Sequence, residues 1–226
     1  MNRWLTYLGL VGYVFIGTAA VLMPAIMPSM TEEFAAMGLT VATIAFIFPA
    51  RAVGGILGNL LAGVGSDLMG RQRLVWLSAF ILASALALTG VTKSWMLFVV
   101  GFALVSVAQA ALSTGINAMI ADANPGAQAR ALNMLHGIYG VGAAVSPLII
   151  GYLIERGMAW RWALGGTGFI WLLYGIGAYL LYRTRTSTEQ RDQVQQLDLT
   201  MLRKGAFFAL FLIAFAYNGV AWSLLG

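Results

Sequence analysis

The chain has 226 residues, of which 60% are hydrophobic and only 9% are Asp, Glu, Lys or Arg, against about 25% charged in an average soluble protein. That balance excludes a water-soluble globular domain and places the chain in lipid. The net charge of +5 forms no basic stripe interleaved with aromatics, so it does not indicate nucleic acid, and with no cysteine and one histidine there is no disulfide framework and no metal cluster to expect.

Seven apolar stretches are long enough to cross a hydrocarbon core about 30 Å thick, and runs of that length predict helices rather than strands. The first, 5–27, follows a single positive residue, Arg3, is longer than a signal-peptide core and has no small-residue cleavage site behind it, so it is read as a retained span. It holds Pro24 and Pro28 and is followed by Glu32-Glu33-Phe34. The second, 41–64, carries Arg51 directly after Pro49-Ala50, about thirteen residues or ~20 Å from its far end. An arginine at that depth is costly. Two readings stand for it: it shares a face with Gly54, Gly55 and Gly58 and points into the bundle toward substrate oxygens, or it snorkels outward. Gly54, Gly58 and Ala62 form a close-packing face.

Between the second and third spans, residues 63–73 read Gly-Val-Gly-Ser-Asp-Leu-Met-Gly-Arg-Gln-Arg. Gly63 is expected to let helices approach closely, Gly70 to permit a tight reversal, and Asp67, Arg71 and Arg73 to put fixed charge at a membrane surface. The third span is 74–91 and the fourth 95–120. On the fourth, Ser106, Gln109, Ser113 and Asn117 fall within a sector of about 80°, a polar stripe suited either to a neutral hydroxylated solute or to gluing helices together. The fifth, 131–154, opens with Asn133 and His136 and places Gly137, Gly140, Ala144, Pro147 and Gly151 close together as a second packing face. His136 is read either as a group that titrates near neutral pH or donates to a hydroxyl, or as a structural histidine bonded to a neighbouring helix. The sixth span is 162–182, after Trp160-Arg161-Trp162.

Residues 183–204 are the one extended polar segment, with four glutamines and mixed charges, and a seventh apolar run covers 205–225. The domain reading is therefore 1–182 as an amino-terminal six-helix bundle, 183–204 as a central cytoplasmic loop, and 205–226 as the first helix of a second, incomplete bundle. Assigned alternately, the amino terminus and the loops on its side hold Arg3, Arg71, Arg73, Arg130, Arg183, Arg185, Arg191, Arg203 and Lys204, against Lys93, Arg156 and Arg161 opposite. Nine against three puts the amino terminus in the cytoplasm of a multi-pass protein of the cell (inner, cytoplasmic) membrane.

The 63–73 turn, with its Gly, Asp, Gly and Arg spacing between two spans, resembles the loop between the second and third helices of major facilitator superfamily transporters. Asn117, Asp122-Ala-Asn-Pro125, the Asn133-x-x-His136 pair and the Gly140-x-Gly142-Ala run before Pro147 narrow the resemblance to the fucose and glucose permease branch. The resemblance implies an all-α fold of two six-helix bundles, each built from two three-helix inverted repeats, of which this chain holds the first bundle and one further span. It also implies a conformational latch of Gly63, Asp67, Gly70, Arg71, Arg73 and Asp122, and a solute lined by candidates Arg51, Gln109, Ser113, Asn117, Asn133 and His136. The implied function is secondary active transport of a small polar solute such as a sugar, with a coupling proton or other ion as a further partner and no cofactor. Efflux of a small organic compound or drug is the alternative within the same fold.

Three departures limit that reading: residues 101–121 lack the arginine many antiporters of the family carry, Ser146 stands where their fifth-span signature has glycine, and the first span has no carboxylate for proton coupling. A seven-helix receptor or light-driven pump fits poorly, because the seventh run has no lysine for a Schiff base. An intramembrane enzyme would need a nucleophile and base in register, and none is found. Half a transporter lacks one wall of its cavity, so the sequence leads us to expect a truncated or partial transporter, inactive alone or completed by a carboxy-terminal bundle or a second copy.

Overall fold

The computed structural model describes residues 3–184, and all eight helices there follow from the apolar runs and their breaks. The first span is two helices, α1 (Arg3–Ala20) and α2 (Leu22–Ala36), joined at Val21. Pro24 has no N–H to offer the carbonyl four residues earlier, so the ladder is interrupted there and restarts with Pro24 in the first turn of α2, where its missing donor does no harm. The second span repeats the device: α3 (Val41–Ala45), capped by the Thr40 hydroxyl accepting from the Thr43 amide at 3.2 Å, gives way to α4 (Ile47–Met69) with Pro49 in its first turn. The remaining spans are single helices, α5 (Arg71–Val91), α6 (Trp95–Ala123), α7 (Gln128–Glu155) and α8 (Trp160–Arg183). Six helical stretches are thus long and apolar enough to cross a membrane. The expected segment beyond Thr184 and the seventh span lie outside the described residues.

Every span ends within five residues of its expected limit except the first, which reaches nine residues further, to Ala36. The turn after α4 is far shorter than the eleven-residue stretch 63–73 suggested, since helix continues to Met69 and resumes at Arg71. Gly70 alone makes the reversal, at φ +82°, a backbone region that side chains with a Cβ rarely enter.

In lipid, apolar faces gain little by leaving their solvent, so helices associate through close van der Waals contact at small residues. The contacts bear this out. α4 packs chiefly on α6, where a Cβ at Gly54 would collide with the carbonyl of Ala103 and one at Gly58 with the carbonyl of Val107. α1 packs chiefly on α7 in the same manner, Gly142 lying against the Val14 carbonyl and Gly17 against that of Tyr139. The fifth-span packing face therefore differs from the expected one. Among the described residues nothing lies within 4 Å of a Cβ placed at Gly137, Gly140 or Gly151. Instead Leu135, Gly142, Ser146 and Ile150, recurring at helical spacing, are the buried stripe.

α5 lies between α6 and α8 and is buried along much of its length. At one end of the bundle Phe34, Trp95, Phe98 and Trp160 form an aromatic knot with ring centroids 5.0 to 6.5 Å apart. α4 and α7 form the outer flanks, with Leu57, Leu60, Val141 and Leu148 exposed.

The two kinds of glycine should separate in a stability measurement. Gly58→Ala forces a methyl onto backbone and is expected to cost about 1–3 kcal/mol, whereas Gly63→Ala, exposed on α4, should gain roughly 0.5–1 kcal/mol from helix propensity. Unfolding midpoints in mixed detergent and dodecyl sulfate micelles check both.

Candidate functional site

The turn site is built by two helix ends meeting. Arg71 is the first residue of α5 and Asp122 the second from the end of α6. They form an ion pair, and Arg71 Nη1 also donates to the Ala118 carbonyl at 3.0 Å. That carbonyl lies near the electronegative end of α6, where a cation is favoured.

The other latch candidates are placed differently. Arg73, two residues on and so about 200° round the helix, turns to α8, donating through Nε to the Tyr182 hydroxyl and lying 5.4 Å from its ring centroid. Asp67 is half-buried on the last turns of α4, and its carboxylate makes no hydrogen bond or ion pair among the described residues. Gly63 is exposed, with nothing within 4 Å of a Cβ there; the close approach expected of it is made by Gly65, whose Cβ would lie 3.2 Å from Leu74. Of the six candidates, the structure joins Arg71 with Asp122 and gives Gly70 the reversal.

The polar stripe of α6 meets α1 through Gln109 and Ser113, while Ser106 lies against Gly54 of α4. Ser106 is satisfied within its own helix by the Phe102 carbonyl at 3.0 Å, Gln109 Nε2 donates to the Ile16 carbonyl at 3.5 Å, and Ser113 Oγ lies 3.1 Å from the Tyr13 hydroxyl. Asn117 is the exception: its Oδ1 is buried and has no hydrogen-bond partner among the described residues. A buried acceptor left unpaired costs on the order of 1–3 kcal/mol.

Tyr13, itself 1% exposed, also meets the edge of the His136 ring, centroids 5.7 Å apart. It therefore connects α1 to both α6 and α7. Asn133 and His136 are exposed on α7. Arg51, half-buried on α4, faces α6, with its guanidinium carbon 5.9 Å from the Phe102 ring centroid. By that contact it stands eleven residues, about 16 Å along α6, from Ser113. Ser113, Asn117 and His136 thus meet at Tyr13, Gln109 reaches α1 at Ile16, and Asn133 and Arg51 stand apart from them.

Sequence reasoning missed Tyr13, because an aromatic in an apolar run carries no signal of what it will meet. It also missed the bond from Thr114 Oγ1 to Asn59 Oδ1, 2.9 Å, between α6 and α4. A second ion pair went unanticipated as well: Arg161 Nη2 lies 2.7 Å from Glu33 Oε1, and Trp160 Nε1 donates to Glu33 Oε2 at 2.8 Å.

A double-mutant cycle separates the latch candidates. With both side chains about a third exposed, Arg71→Gln and Asp122→Asn should couple by about 1 kcal/mol or less. Arg73→Gln and Asp122→Asn should be additive within about 0.3 kcal/mol in the same unfolding assay.

The chain is similar in sequence to known membrane transporters. The family model described as Major Facilitator Superfamily matches residues 9–226. The chain is 28% identical over 163 residues to the uncharacterized MFS-type transporter YfkL of Bacillus subtilis, a match covering 72% of this chain and 40% of that protein. It is 33% identical over 177 residues to the puromycin resistance protein pur8 of Streptomyces alboniger, covering 76% and 33% respectively. It is 27% identical over 148 residues to the sodium-dependent glucose transporter 1 of Rattus norvegicus, covering 65% and 30%. In each case the matched stretch spans less than half the length of the relative.

Proposed function

We propose that this chain, which belongs to the major facilitator superfamily, provides one six-helix wall of a secondary transporter that moves a small polar, sugar-like solute by alternating access. The buried, unpartnered carbonyl oxygen of Asn117 carries the reading. It is an acceptor held ready in a low-dielectric seam, and a solute hydroxyl is the kind of donor that would satisfy it. Toward α1 the seam offers amide and hydroxyl groups, Gln109, Ser113 and the Tyr13 hydroxyl, with His136 against Tyr13. No charged side chain occurs over residues 101–121, so a polyol is a better match there than an ion. The similarity to a sodium-dependent glucose transporter supports the same solute class.

In this reading the exposed face of α7 with Asn133 and His136 lines the path, and Arg51 stands toward its other end, able to receive solute oxygens. The opposing wall comes from a second helical body, and the end of this bundle that carries Arg71 and Asp122 is the latch surface that closes against it in one conformation of the cycle. A coupling proton or another ion completes the scheme, and the membrane is the cell's inner one with the amino terminus in the cytoplasm. The similarity to pur8 favours a second reading, efflux of a small organic compound through the same seam.

Uptake of labelled D-glucose by vesicles carrying the chain together with the second helical body that closes its cavity tests the first reading. Uptake is expected above that of empty vesicles, and Asn117→Leu should lower it about tenfold or more, the cost of one lost hydrogen bond to a polar solute. Transport of puromycin in place of glucose would favour the second reading, and transport of neither would overturn both.

A further inference from the structure

The Glu33 pair lies far from the polar seam and belongs to no part of the proposed solute path. Arg161 Nη1 donates to the carbonyls of Gly90, at 3.3 Å, and Thr92. Those carbonyls are at the end of α5 opposite Arg71, and a helix of 21 residues is about 30 Å long. The Arg71–Asp122 and Arg161–Glu33 pairs therefore sit at opposite ends of the bundle.

They are also related by chain order. Arg71 starts the third span and pairs with the end of the fourth; Arg161 starts the sixth span and pairs with Glu33 at the end of the first. Exchanging spans one to three for spans four to six, end over end, turns one pair into the other. The packing obeys the same exchange, since the second span lies with its glycines on carbonyls of the fourth, and the fifth with its glycine on a carbonyl of the first. Inverted repetition that is illegible as residue identity is thus written in the contacts.

The placement of charge makes both pairs cross-helix devices. Each arginine stands at the positive pole of its own helix and each carboxylate near the negative pole of its own, where neither is favoured. Across the pair the signs are right: each charge faces the opposite pole of its partner's helix. Arg161 is further held over the Trp160 ring, 4.4 Å from its centroid, and its side chain is 19% exposed.

We propose that Glu33, Trp160 and Arg161 form a second tie, the inverted counterpart of Arg71 and Asp122, and that the two ties fasten spans one to three onto spans four to six from opposite ends so that the six helices move as one body. This holds whichever solute is carried. Because the chain has no cysteine, a single introduced thiol reports opening at either end without background. Ala163→Cys reports at the Arg161 end and Val75→Cys at the Arg71 end, both positions being buried.

In membranes carrying the full chain, Glu33→Gln is expected to raise the rate of N-ethylmaleimide labelling at Ala163→Cys about tenfold and leave Val75→Cys within about twofold, the pattern of local rather than global opening. Arg71→Gln should do the reverse. The exchanged pair Glu33→Arg with Arg161→Glu should bring Ala163→Cys back to within about threefold of its starting rate, since opposite charge is restored. An unchanged rate at Ala163→Cys in Glu33→Gln overturns the proposal, as does a rise at both reporters together, and so does an exchanged pair that labels as fast as Glu33→Gln.

Discussion

Gly142 against the Val14 carbonyl, Gly17 against that of Tyr139, and Gly54 and Gly58 against those of Ala103 and Val107 are the contacts on which the bundle rests. Two helices in lipid release no ordered water when they meet, so what holds them is the number of atoms brought within dispersion range. Glycine maximises that number by removing the side chain that would keep two backbones apart. Once α1 lies that close to α7, Tyr13 has no room to leave the interior, and its hydroxyl must find a partner there. It finds Ser113 on α6. The seam is thus a consequence of the close approach, with its polar groups satisfied across helices because the bilayer offers no water to satisfy them.

The same solvent sorts charge from neutral polarity. Among the described residues the polar groups in the middle of the bundle are chiefly hydroxyls and amides, with the His136 ring beside Tyr13 and Arg51 toward Phe102. At both ends stand ion pairs reinforced by backbone carbonyls. An ion at the centre of a bilayer costs several kcal/mol, while near the headgroups water and counter-charge are at hand. Ends are therefore where strong, breakable interactions can be placed, and the middle is where weak ones must be made to fit.

The spans were legible because length and apolarity are local properties, and Gly70 marked its reversal for an equally local reason, whereas the breaks at Val21 and Phe46 were not expected. Tertiary pairing was legible only where a resemblance carried it, as for Arg71 and Asp122. Arg73 could have been separated from them by helical rotation alone, since a residue two places on cannot face the same partner. Glu33 and Arg161 are 128 residues apart, and each reads as an ordinary interfacial charge until the fold brings them together. The fifth-span packing face was misplaced because its small residues occur all round the helix. The neighbour chose Gly142, whose face of the helix also presents Leu135 and Ile150 about two turns to either side.

Sequence left the stripe of α6 divided between lining and glue, and the geometry assigns its members separately. Ser106, Gln109 and Ser113 are each consumed by a partner in α1 or in α6 itself. Asn117 is not. The unsatisfied oxygen is thus at the end of the stripe nearest the Arg71–Asp122 pair, and the residue after it, Ala118, is the one whose carbonyl receives Arg71. Two neighbouring peptide units therefore hold the open acceptor of the seam and the backbone acceptor of the ion pair. A turn of α6 that re-aims one must re-aim the other, because within a hydrogen-bonded helix adjacent residues cannot rotate independently. The stripe and the Arg71–Asp122 pair, separate features in the sequence, meet at one end of one helix.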